Sequence, residues 1–193
     1  MAVFFTADTH FATFDEDAFT RDYRPFKKPS QMNKAIIKIW NKQAKKGDTI
    51  YHVGDFISYN LRDKEFVKNL SLVKKIKADV IIVMGNNEDR VLHYEFNDDF
   101  EKFEKFMLDL GFKQVIRGGY DMELDGHKLY LNHFPSKHKD GVVNLFGHIH
   151  KSALVKKYGF NVGIDNHYFK LFSKEDVLDL INRRKWFDDE VYE

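Results

Sequence analysis

The sequence has no cysteine, and this absence excludes several chemistries at once. Without a thiol there is no disulfide, no thiolate metal ligand and no thiol nucleophile, so a metal ion must be held by imidazole, carboxylate or amide groups. An excess of one charge is also lacking, because 31 Lys and Arg face 30 Asp and Glu, for a formal net charge of +1. This balance gives no indication of a nucleic-acid-binding protein, although it leaves room for a local basic patch.

Long apolar runs and a basic leader are missing as well. The N-terminal segment reaches Asp8 too early to form an export signal, and apolar runs such as residues 80–84 are far shorter than the ~20 residues of a membrane-spanning helix. We therefore expect a cytoplasmic protein without a membrane partner. The chain has 193 residues, 43% of them hydrophobic, and we expect one domain over residues 1–193.

Strands and helices are predicted to alternate in the first half of the chain. Short apolar runs that are typical of buried strands occur at residues 3–7, 49–53 and 79–84. Apolar residues at helical spacing predict helices at residues 30–46, 63–77 and 98–110. The first helix is predicted to begin with Ser30 as its N-cap and to stop at Gly47. The strand at residues 79–84 is predicted to end at the polar residues 85–89, for which no helix is predicted.

The second half is predicted to be rich in strands. Alternating or continuous apolar residues between turn signals indicate strands at residues 113–117, 120–124, 128–133, 142–146 and 158–164. A last helix is predicted to begin at a capping box that contains Ser173 and Asp176, with Val177, Leu178 and Ile181 as its buried stripe. This order of elements predicts an α/β fold, a four-layer α/β/β/α sandwich with two sheets between helices.

Polar side chains that can bind a metal ion follow several predicted strands. In α/β folds, ligands gather beyond the carboxyl ends of strands, so residues far apart in sequence can converge there. Each short motif is common when it stands alone, and Gly-Asp and Gly-Asn are routine turn signals. The candidate metal ligands are Asp8, His10, Asp55, Asn86, His133, His148 and His150.

Taken together and in this order, the segments resemble the calcineurin-like metallophosphoesterase family. The family pattern is D-x-H, G-D, G-N-H-[DE], a lone His and G-H-x-H. Here the corresponding residues are Asp8-Thr9-His10, Gly54-Asp55, Gly85-Asn86-Asn87-Glu88, His133 and Gly147-His148-Ile149-His150. The resemblance extends over roughly the whole domain and implies the sandwich fold of that family.

The resemblance also implies a centre of two divalent metal ions. One ion would be held by Asp8, His10, Asp55 and His150, and the other by Asp55, Asn86, His133 and His148. Asp55 would then bridge the two ions. Mixed oxygen and imidazole ligands suit Mn, Fe, Zn or Ni, and Mn²⁺ is our working choice. A hydroxide that bridges the ions would be the nucleophile in the hydrolysis of a phosphate ester.

The chain departs from the family pattern at Asn87, where relatives have a His that is thought to protonate the leaving oxygen. Asn has no titratable proton, so we expect a phosphodiester with a good leaving group to be favoured. His138 lies in the loop after His133, where it could reach the site, although a solvated position is the simpler expectation. The candidate catalytic residues are Asp55, Asn86, Asn87 and His138.

Other residues are interpreted more simply. His52 is expected in the core, and His167 in a solvated loop. Arg90 and Lys137 could contact a phosphate oxygen but are expected at the surface. Asn161 resembles a family residue that supports the metal-binding loops. Aromatic residues that flank the ligand segments, and for which core packing is the simpler explanation, are Phe11, Phe14, Phe56, Tyr59 and Tyr94.

Two other functions stay under consideration. The chain could be a binding scaffold that has lost catalysis, as a retromer subunit resembling this family has done, but the presence of every candidate ligand argues against this. It could also be a nuclease or a cyclic-nucleotide phosphodiesterase of the same family, which the basic loop with Lys137 and Lys139 would fit. We expect a small phosphate ester as the substrate. Nucleic acid is not indicated by the net charge, and the oligomeric state is left open.

Overall fold

Short strands form the framework of the protein, whose computed structural model describes residues 1–12, 24–61 and 65–184. In chain order, the strands are β1 (Val3–Thr6), β2 (Thr49–Val53), β3 (Asp79–Val83), β4 (Gln114–Ile116), β5 (Tyr120–Leu124), β6 (His127–Leu131), β7 (Val143–Phe146), β8 (Val155–Lys156), β9 (Gly159–Asn161) and β10 (Phe172–Ser173). They form two five-stranded sheets. The predicted arrangement of two sheets flanked by helices is therefore confirmed.

The first sheet has the strand order β10-β1-β2-β3-β4. Strands β1 to β4 are parallel, and β10 pairs with β1 in the antiparallel direction. In the register, Phe4 lies opposite Ile50, and Ile50 lies opposite Val80. All three are buried, as expected for a parallel sheet that is covered on both faces. The carboxyl ends of β1, β2 and β3 meet at one edge of this sheet.

The second sheet has the order β5-β6-β7-β9-β8. Its central strands β6, β7 and β9 are parallel, while β5 and β8 pair with their neighbours in the antiparallel direction. The inner faces of the two sheets pack together through Phe5 and Val53 from the first sheet and Leu131, Leu145 and Phe160 from the second. This core brings the carboxyl ends of β6 and β7 next to those of the first sheet.

The helices cover the sheets. They are α1 (Pro29–Gln43), α2 (Phe66–Leu70), α3 (Asn86–Phe96), α4 (Phe100–Leu110) and α5 (Lys174–Arg184). In the core on the other face of the first sheet, Trp40 of α1, Val91 of α3 and Phe103 of α4 pack with Ile50 and Ile82. Helix α5 adds Val177 and Ile181 to the core between the sheets. Among the described residues, no helix is long and apolar enough to cross a membrane.

The boundaries of α1 and α2 differ from the sequence prediction. Helix α1 has Lys28, and not Ser30, as its N-cap, because Pro29 has a fixed φ and no N–H and so suits the first helical position. It ends at Gln43, before the predicted stop at Gly47. The second predicted helix is shorter, since α2 gives way to a 3₁₀ helix over Ser71–Lys75. Asp63, its predicted start, lies outside the described residues.

Helix α3 is not predicted from the sequence, because its polar first turn resembles a loop. The backbone of Gly85 is extended, and its N–H donates to the Glu88 carboxylate at 2.9 Å. The polar residues therefore form a capped first turn of a helix. At the other end of the chain, the strand predicted over residues 158–164 is reduced to β9, and a 3₁₀ turn follows at Ile164–Asn166. Strands β8 and β10 are too short to give a periodic pattern.

Candidate metal centre

The seven candidate metal ligands lie at the adjoining carboxyl ends of the two sheets. Asp8 and His10 follow β1, Asp55 follows β2 and Asn86 follows β3, while His133 follows β6, and His148 and His150 follow β7. Ligand atoms of Asp8, His10 and His150 lie within 4.8 Å of one another, and so do those of Asp8, Asp55 and His133. The Oδ1 atom of Asn86 lies 3.1 Å from His133 Nε2 and 3.0 Å from His148 Nδ1. Residues from five strands thus meet at one place.

Five of the seven candidate ligands line a cavity with a volume of about 340 Å³. His10, Asp55 and Asn86 contribute to its wall from the first sheet, and the segment from His148 to His150 contributes from the second. Ser152 completes the lining. Most of the candidate ligands therefore face a cavity, while Asp8 and His133 are buried behind them.

The backbone is left-handed at five of the seven ligands. The φ angles are 57° at Asp8, 50° at His10, 57° at Asp55, 71° at His148 and 47° at His150. Residues other than glycine rarely adopt this conformation, which costs free energy and persists only where surrounding contacts impose it. Such strained residues are concentrated at functional sites in proteins, and here they coincide with the segments that carry the ligands.

Two glycines allow the sheets to approach each other at the site. A Cβ atom at Gly54, whose φ is +84°, would lie 2.5 Å from Nδ1 of His133. A Cβ atom at Gly147 would lie 2.7 Å from Oδ2 of Asp8. Both distances are shorter than any ordinary contact. The glycines of the G-D and G-H-x-H motifs are thus required by close packing between the ends of the two sheets.

The carboxylate of Asp55 lies between two imidazoles from different sheets. Its Oδ2 atom is 3.6 Å from His10 Nε2 and 3.5 Å from His133 Nε2. Its Oδ1 atom accepts a hydrogen bond from the backbone N–H of Asn87 at 2.9 Å. Burial would raise the pKa of Asp55, but the charge and hydrogen bond of His133, with the charge of His10, hold it well below its usual range. Asp55 is therefore an ionised carboxylate.

Asp8 is the other buried carboxylate of the cluster. Both of its oxygens accept from the N–H of His148, at 2.9 and 3.0 Å, so it ties the end of β1 to the end of β7. Burial raises the pKa of Asp8 to about 6, against the opposing charges of His133 and His150. A cation beside this carboxylate would favour its ionised form.

Hydrogen bonds to Nδ1 orient the histidine rings. His133 Nδ1 donates to the carbonyl of Val53 at 2.9 Å, and His150 Nδ1 donates to Asp165 Oδ2 at 2.7 Å. His10 Nδ1 contacts Ser58 Oγ at 3.1 Å. With a proton on Nδ1, Nε2 carries the lone pair that binds a metal. This donor set of carboxylates, one amide oxygen and oriented imidazoles fits divalent transition metals.

Glu88 fastens the ligand loops of β2 and β3, a role that the sequence analysis did not assign to it. Its Oε2 accepts from the N–H groups of Asp55, at 2.8 Å, and Gly85, at 2.9 Å, and its Oε1 accepts from Phe56 N–H at 2.9 Å. Burial and the charge of Asp55 raise the pKa of Glu88 to about 7 in spite of these bonds. Its position three residues after Gly85, as in a capping box, is the sequence signal that points to this role.

Arg24 and Asp165 form a buried ion pair behind the site, which the sequence analysis also did not identify. Arg24 Nε donates to Asp165 Oδ1 at 2.8 Å, and Nη2 donates to Oδ2 at 2.9 Å. Arg24 also donates to the backbone carbonyls of Asp8 and Thr9, each at 2.7 Å. Burial would raise the pKa of Asp165, but the hydrogen bonds from His150 and Arg24 lower it to about 2. Because Arg24 and Asp165 are far apart in the chain, no local pattern marks the pair.

Two asparagines hold the backbone after β7. Asn161 Nδ2 donates to the carbonyls of His150, at 2.7 Å, and Ala153, at 2.9 Å, while its Oδ1 accepts from Gly163 N–H at 2.8 Å. Asn166 Nδ2 also donates to the His150 carbonyl, at 2.6 Å. The structure thus places Asn161 where the family resemblance implies, in support of a metal-binding loop.

Asn87 lies at the site, whereas His138 does not lie with the ligands. The side chain of Asn87 is buried, and its Oδ1 accepts from the N–H of Tyr59 at 3.0 Å. The ring of His138 stacks on Tyr158, with 3.9 Å between the ring centroids. It lines a separate cavity of about 590 Å³. Closeness in sequence to His133 does not bring His138 to the metal ligands, because the loop directs it toward the second sheet.

The remaining candidates lie outside the cluster. His52 is buried, its Nε2 contacts Thr9 Oγ1, and burial lowers its pKa to about 3, in agreement with its predicted place in the core. His167 is bound to the carbonyl of Asn161 at 2.9 Å. The Nζ atom of Lys137 lies 4.7 Å from the Phe134 ring centroid, and Arg90 is exposed. Among the flanking aromatics, Phe14 lies outside the described residues, Tyr94 is exposed, and the buried ones are Phe11, Phe56 and Tyr59.

Comparisons with known proteins find similarities over most of the chain. An uncharacterized protein of Methanocaldococcus jannaschii, MJ1445, is 25% identical over 194 residues, which cover 95% of this chain and 93% of that protein. A solved structure of a protein of unknown function from Aquifex aeolicus, AQ665, has the same fold, with a TM-score of 0.66 and 21% identity over 93% of this chain and 98% of that one. A novel archaeal phosphodiesterase gives a TM-score of 0.47 at 19% identity, over 84% of this chain and 82% of its own.

The family match agrees with the geometry of the site. The sequence matches the calcineurin-like phosphoesterase family over residues 1–190, which include every candidate metal ligand. The two-sheet architecture and the group of Asp and His side chains at the strand ends are what that family implies. The chain belongs to the calcineurin-like phosphoesterase family.

Proposed function

We propose that this protein is a metal-dependent phosphoesterase that uses two divalent ions, with Mn²⁺ as the working choice, to hydrolyse small phosphate esters, and that it favours diesters. The observation that carries this proposal is the position of Asp55, whose Oδ2 atom lies 3.6 Å from His10 Nε2 and 3.5 Å from His133 Nε2. A carboxylate between two groups of ligands can serve an ion on each side and offset part of the repulsion between them.

The ligands divide into two sets around Asp55. The inner ion position is defined by Asp8, His10 and His150, which are all buried. The outer ion position is defined by Asn86, His133 and His148. Asp55 would be shared between them. When bound, the two ions would lower the pKa of a water shared between them, so that hydroxide attacks phosphorus, and would stabilise charge on the phosphoryl oxygens.

The protein itself would orient the reactants. The Nδ1 hydrogen bonds of His133 and His150 hold both rings with Nε2 available for coordination. The cavity of about 340 Å³ beside these ligands is of the size that accepts a small ester. Since its wall includes Asn86 and Ser152, polar groups would contact the substrate beside the ions.

The expectation that the ester has a good leaving group rests on Asn87. Its Oδ1 atom accepts a hydrogen bond from Tyr59 N–H, which fixes the orientation of the side chain. An amide cannot protonate a leaving group, and His138 lies away from the cavity against Tyr158. A leaving group that departs without a proton would therefore react best.

The test is metal-dependent hydrolysis of bis-p-nitrophenyl phosphate and p-nitrophenyl phosphate by the metal-stripped protein after addition of Mn²⁺. We expect turnover of both esters, faster for the diester. Asp55→Asn should lower it at least about 100-fold, as expected when an electrostatic group of an active site is lost. The matched control is Asp109→Asn, an exposed position on α4, which should retain full turnover.

Two results would contradict the proposal. Equal Mn²⁺-dependent turnover in Asp55→Asn and the unchanged protein would remove Asp55 from the chemistry. Failure to cleave either ester with Mn²⁺, Fe²⁺, Zn²⁺ or Ni²⁺ would favour a binding scaffold of the same fold. A faster reaction with the monoester would contradict the diester preference alone.

A further inference from the structure

Arg24 and Asp165 connect all three ligands of the inner ion position. The Asp165 carboxylate accepts from both Arg24 and His150, and Arg24 donates in turn to the carbonyls of Asp8 and Thr9. His10 follows Thr9 directly. One unbroken series of hydrogen bonds therefore runs from the imidazole of His150 to the backbone that carries the other two ligands.

The Arg24–Asp165 ion pair is almost completely buried. The side chain of Arg24 is 1% exposed and that of Asp165 is 0% exposed. A buried ion pair contributes little to stability compared with an apolar pair of similar size, because both charges lose their hydration. A role in fixing nearby groups accounts better for a pair in such a place. The two charges also offset each other, so Arg24 can hold Asp8 without repelling a cation bound to it.

The outer ion position is held differently. His148 is exposed, and its Nδ1 contacts Oδ1 of Asn86, which is itself one of the ligands. The same oxygen also contacts Nε2 of His133. Asn86 and His148 thus contact each other on the solvent side, and only His133 of this position is buried, with its Nδ1 bound to the Val53 carbonyl. The inner position is anchored from behind by a buried ion pair.

We propose that Arg24 and Asp165 are positioning residues that make the inner ion position the tighter of the two, so that the protein binds its divalent ions in two separate steps. This inference rests on the proposed function, because it assumes two ion positions. The first ion enters the position of Asp8, His10 and His150, whose ligands are already oriented. The second ion enters the outer position, where Asn86 and His148 must lose their contact with solvent.

The experiment is calorimetric titration of the metal-stripped, full-length protein with Mn²⁺, with electron paramagnetic resonance of unbound Mn²⁺ as a second readout. We expect two binding steps for the unchanged protein. Asp165→Asn should weaken the tighter step about 10- to 100-fold, the usual effect of removing a group that orients a metal ligand. The weaker step should change by less than about 3-fold.

Two further variants separate positioning from folding. Arg24→Lys keeps the positive charge but cannot reproduce the planar set of hydrogen bonds, so the tighter step should weaken even where the fold is intact. This variant also carries the test should Asp165→Asn fail to fold. Asn86→Ala should have the opposite pattern, with the weaker step reduced and the tighter step unchanged. Asp121→Asn, which removes an exposed carboxylate bound to Lys139, serves as the matched charge control.

The proposal is overturned by a single binding step in the unchanged protein, by two steps of equal affinity, or by Asp165→Asn or Arg24→Lys weakening both steps alike. None of these readouts uses turnover. An inactive protein that still loads Mn²⁺ in two unequal steps would contradict the proposed function and leave this inference standing. An active protein that binds Mn²⁺ in two steps of equal affinity would support the proposed function and contradict this inference.

Discussion

The two sheets supply different chemistry to the site. The carboxylate edge, formed by the residues after β1, β2 and β3, provides the oxygen ligands of Asp8, Asp55 and Asn86 together with His10. The imidazole edge, formed by the residues after β6 and β7, provides imidazoles alone. Oxygen ligands by themselves suit Mg²⁺ or Ca²⁺, while a mixture with imidazole suits Mn, Fe or Zn. The proposed preference for a transition metal therefore rests on both edges contributing ligands.

The edges also differ in how they are held. At the carboxylate edge, Glu88 binds the N–H groups of Asp55 and Gly85 and so fastens neighbouring strand ends of one sheet. At the imidazole edge, Asn161 at the end of β9 and Asp165 in the 3₁₀ turn that follows bind the His150 segment. One edge is thus fixed by a side chain of helix α3, and the other by side chains at and just after the end of β9. Substitutions that separate these two kinds of support test the comparison.

The largest effect is expected where the edges touch. Gly54→Ala would place a Cβ atom 2.5 Å from His133 Nδ1 and force a left-handed backbone on alanine. We expect the free energy of unfolding to fall by about 4 kcal/mol, from overpacking and backbone strain together. Gly47→Ala is the matched control, because φ is +90° there and nothing lies within 4 Å of the new Cβ. It should cost about 1 kcal/mol.

Urea unfolding of both metal-stripped variants measures the difference. If Gly54→Ala and Gly47→Ala lower the free energy of unfolding by similar amounts, the effect at Gly54 comes from backbone strain alone. The two edges would then not be closely packed. A much larger loss at Gly54 supports close packing of the two edges before any ion binds.

An intermediate effect is expected inside the carboxylate edge. Glu88→Gln replaces one of two accepting oxygens by an NH₂ group, so at least one of the three N–H groups that Glu88 binds loses its acceptor. The free energy of unfolding should fall by about 2 kcal/mol. Chemical denaturation beside Glu123→Gln, an exposed position on β5, provides the comparison, with a change below about 0.5 kcal/mol expected there. A neutral result for Glu88→Gln would show that this edge does not depend on the carboxylate.

The smallest effect is expected far from both edges. Ser173 and Asp176 cap α5 reciprocally, with Ser173 N–H bound to Asp176 Oδ2 at 2.8 Å and Asp176 N–H bound to Ser173 Oγ at 3.1 Å. Ser173→Ala should cost about 1 kcal/mol of unfolding free energy and leave Mn²⁺ affinity unchanged, while Ser173→Thr should retain the cap. Thermal unfolding and calorimetry together test this. A loss of metal affinity in Ser173→Ala would mean that the support of the site extends to α5.

Sequence reasoning could predict those parts of the molecule that depend on local patterns. The buried strands of the first sheet produce continuous apolar runs, and the ligands stand directly after strands, so Asp8, Asp55 and His133 can be located from neighbouring residues. Helix α3 could not be predicted because its first turn, which contains Asn86 and Asn87, is polar. A polar turn lacks the spacing of apolar residues by which a helix is identified. Residues whose roles arise from folding, such as Asp165, have no local pattern that reveals them.

His138 illustrates the opposite error. It stands five residues after His133 in the same segment, and nothing in the sequence says toward which side the intervening turn directs it. The 3₁₀ turn at Pro135–Lys137 and the stack on Tyr158 decide the question, and both are properties of the fold. The position of a residue in the sequence thus predicts which part of the fold it lies in, but not the direction in which its side chain points.

The meeting of Asp8 and His150 within one ligand group has a mechanical consequence. These residues are far apart in the sequence and follow strands of different sheets, so any ion held between them would act as a cross-link that closes residues 8–150 of the 193-residue chain into a loop. Such a cross-link forms in the folded chain and not in the unfolded one, so it would stabilise the folded state more as the concentration of free ion rises. In this protein, which has no cysteine, a bound metal ion would then cross-link distant parts of the chain as a disulfide does in other proteins. Unlike a disulfide, this cross-link could be removed by a chelator.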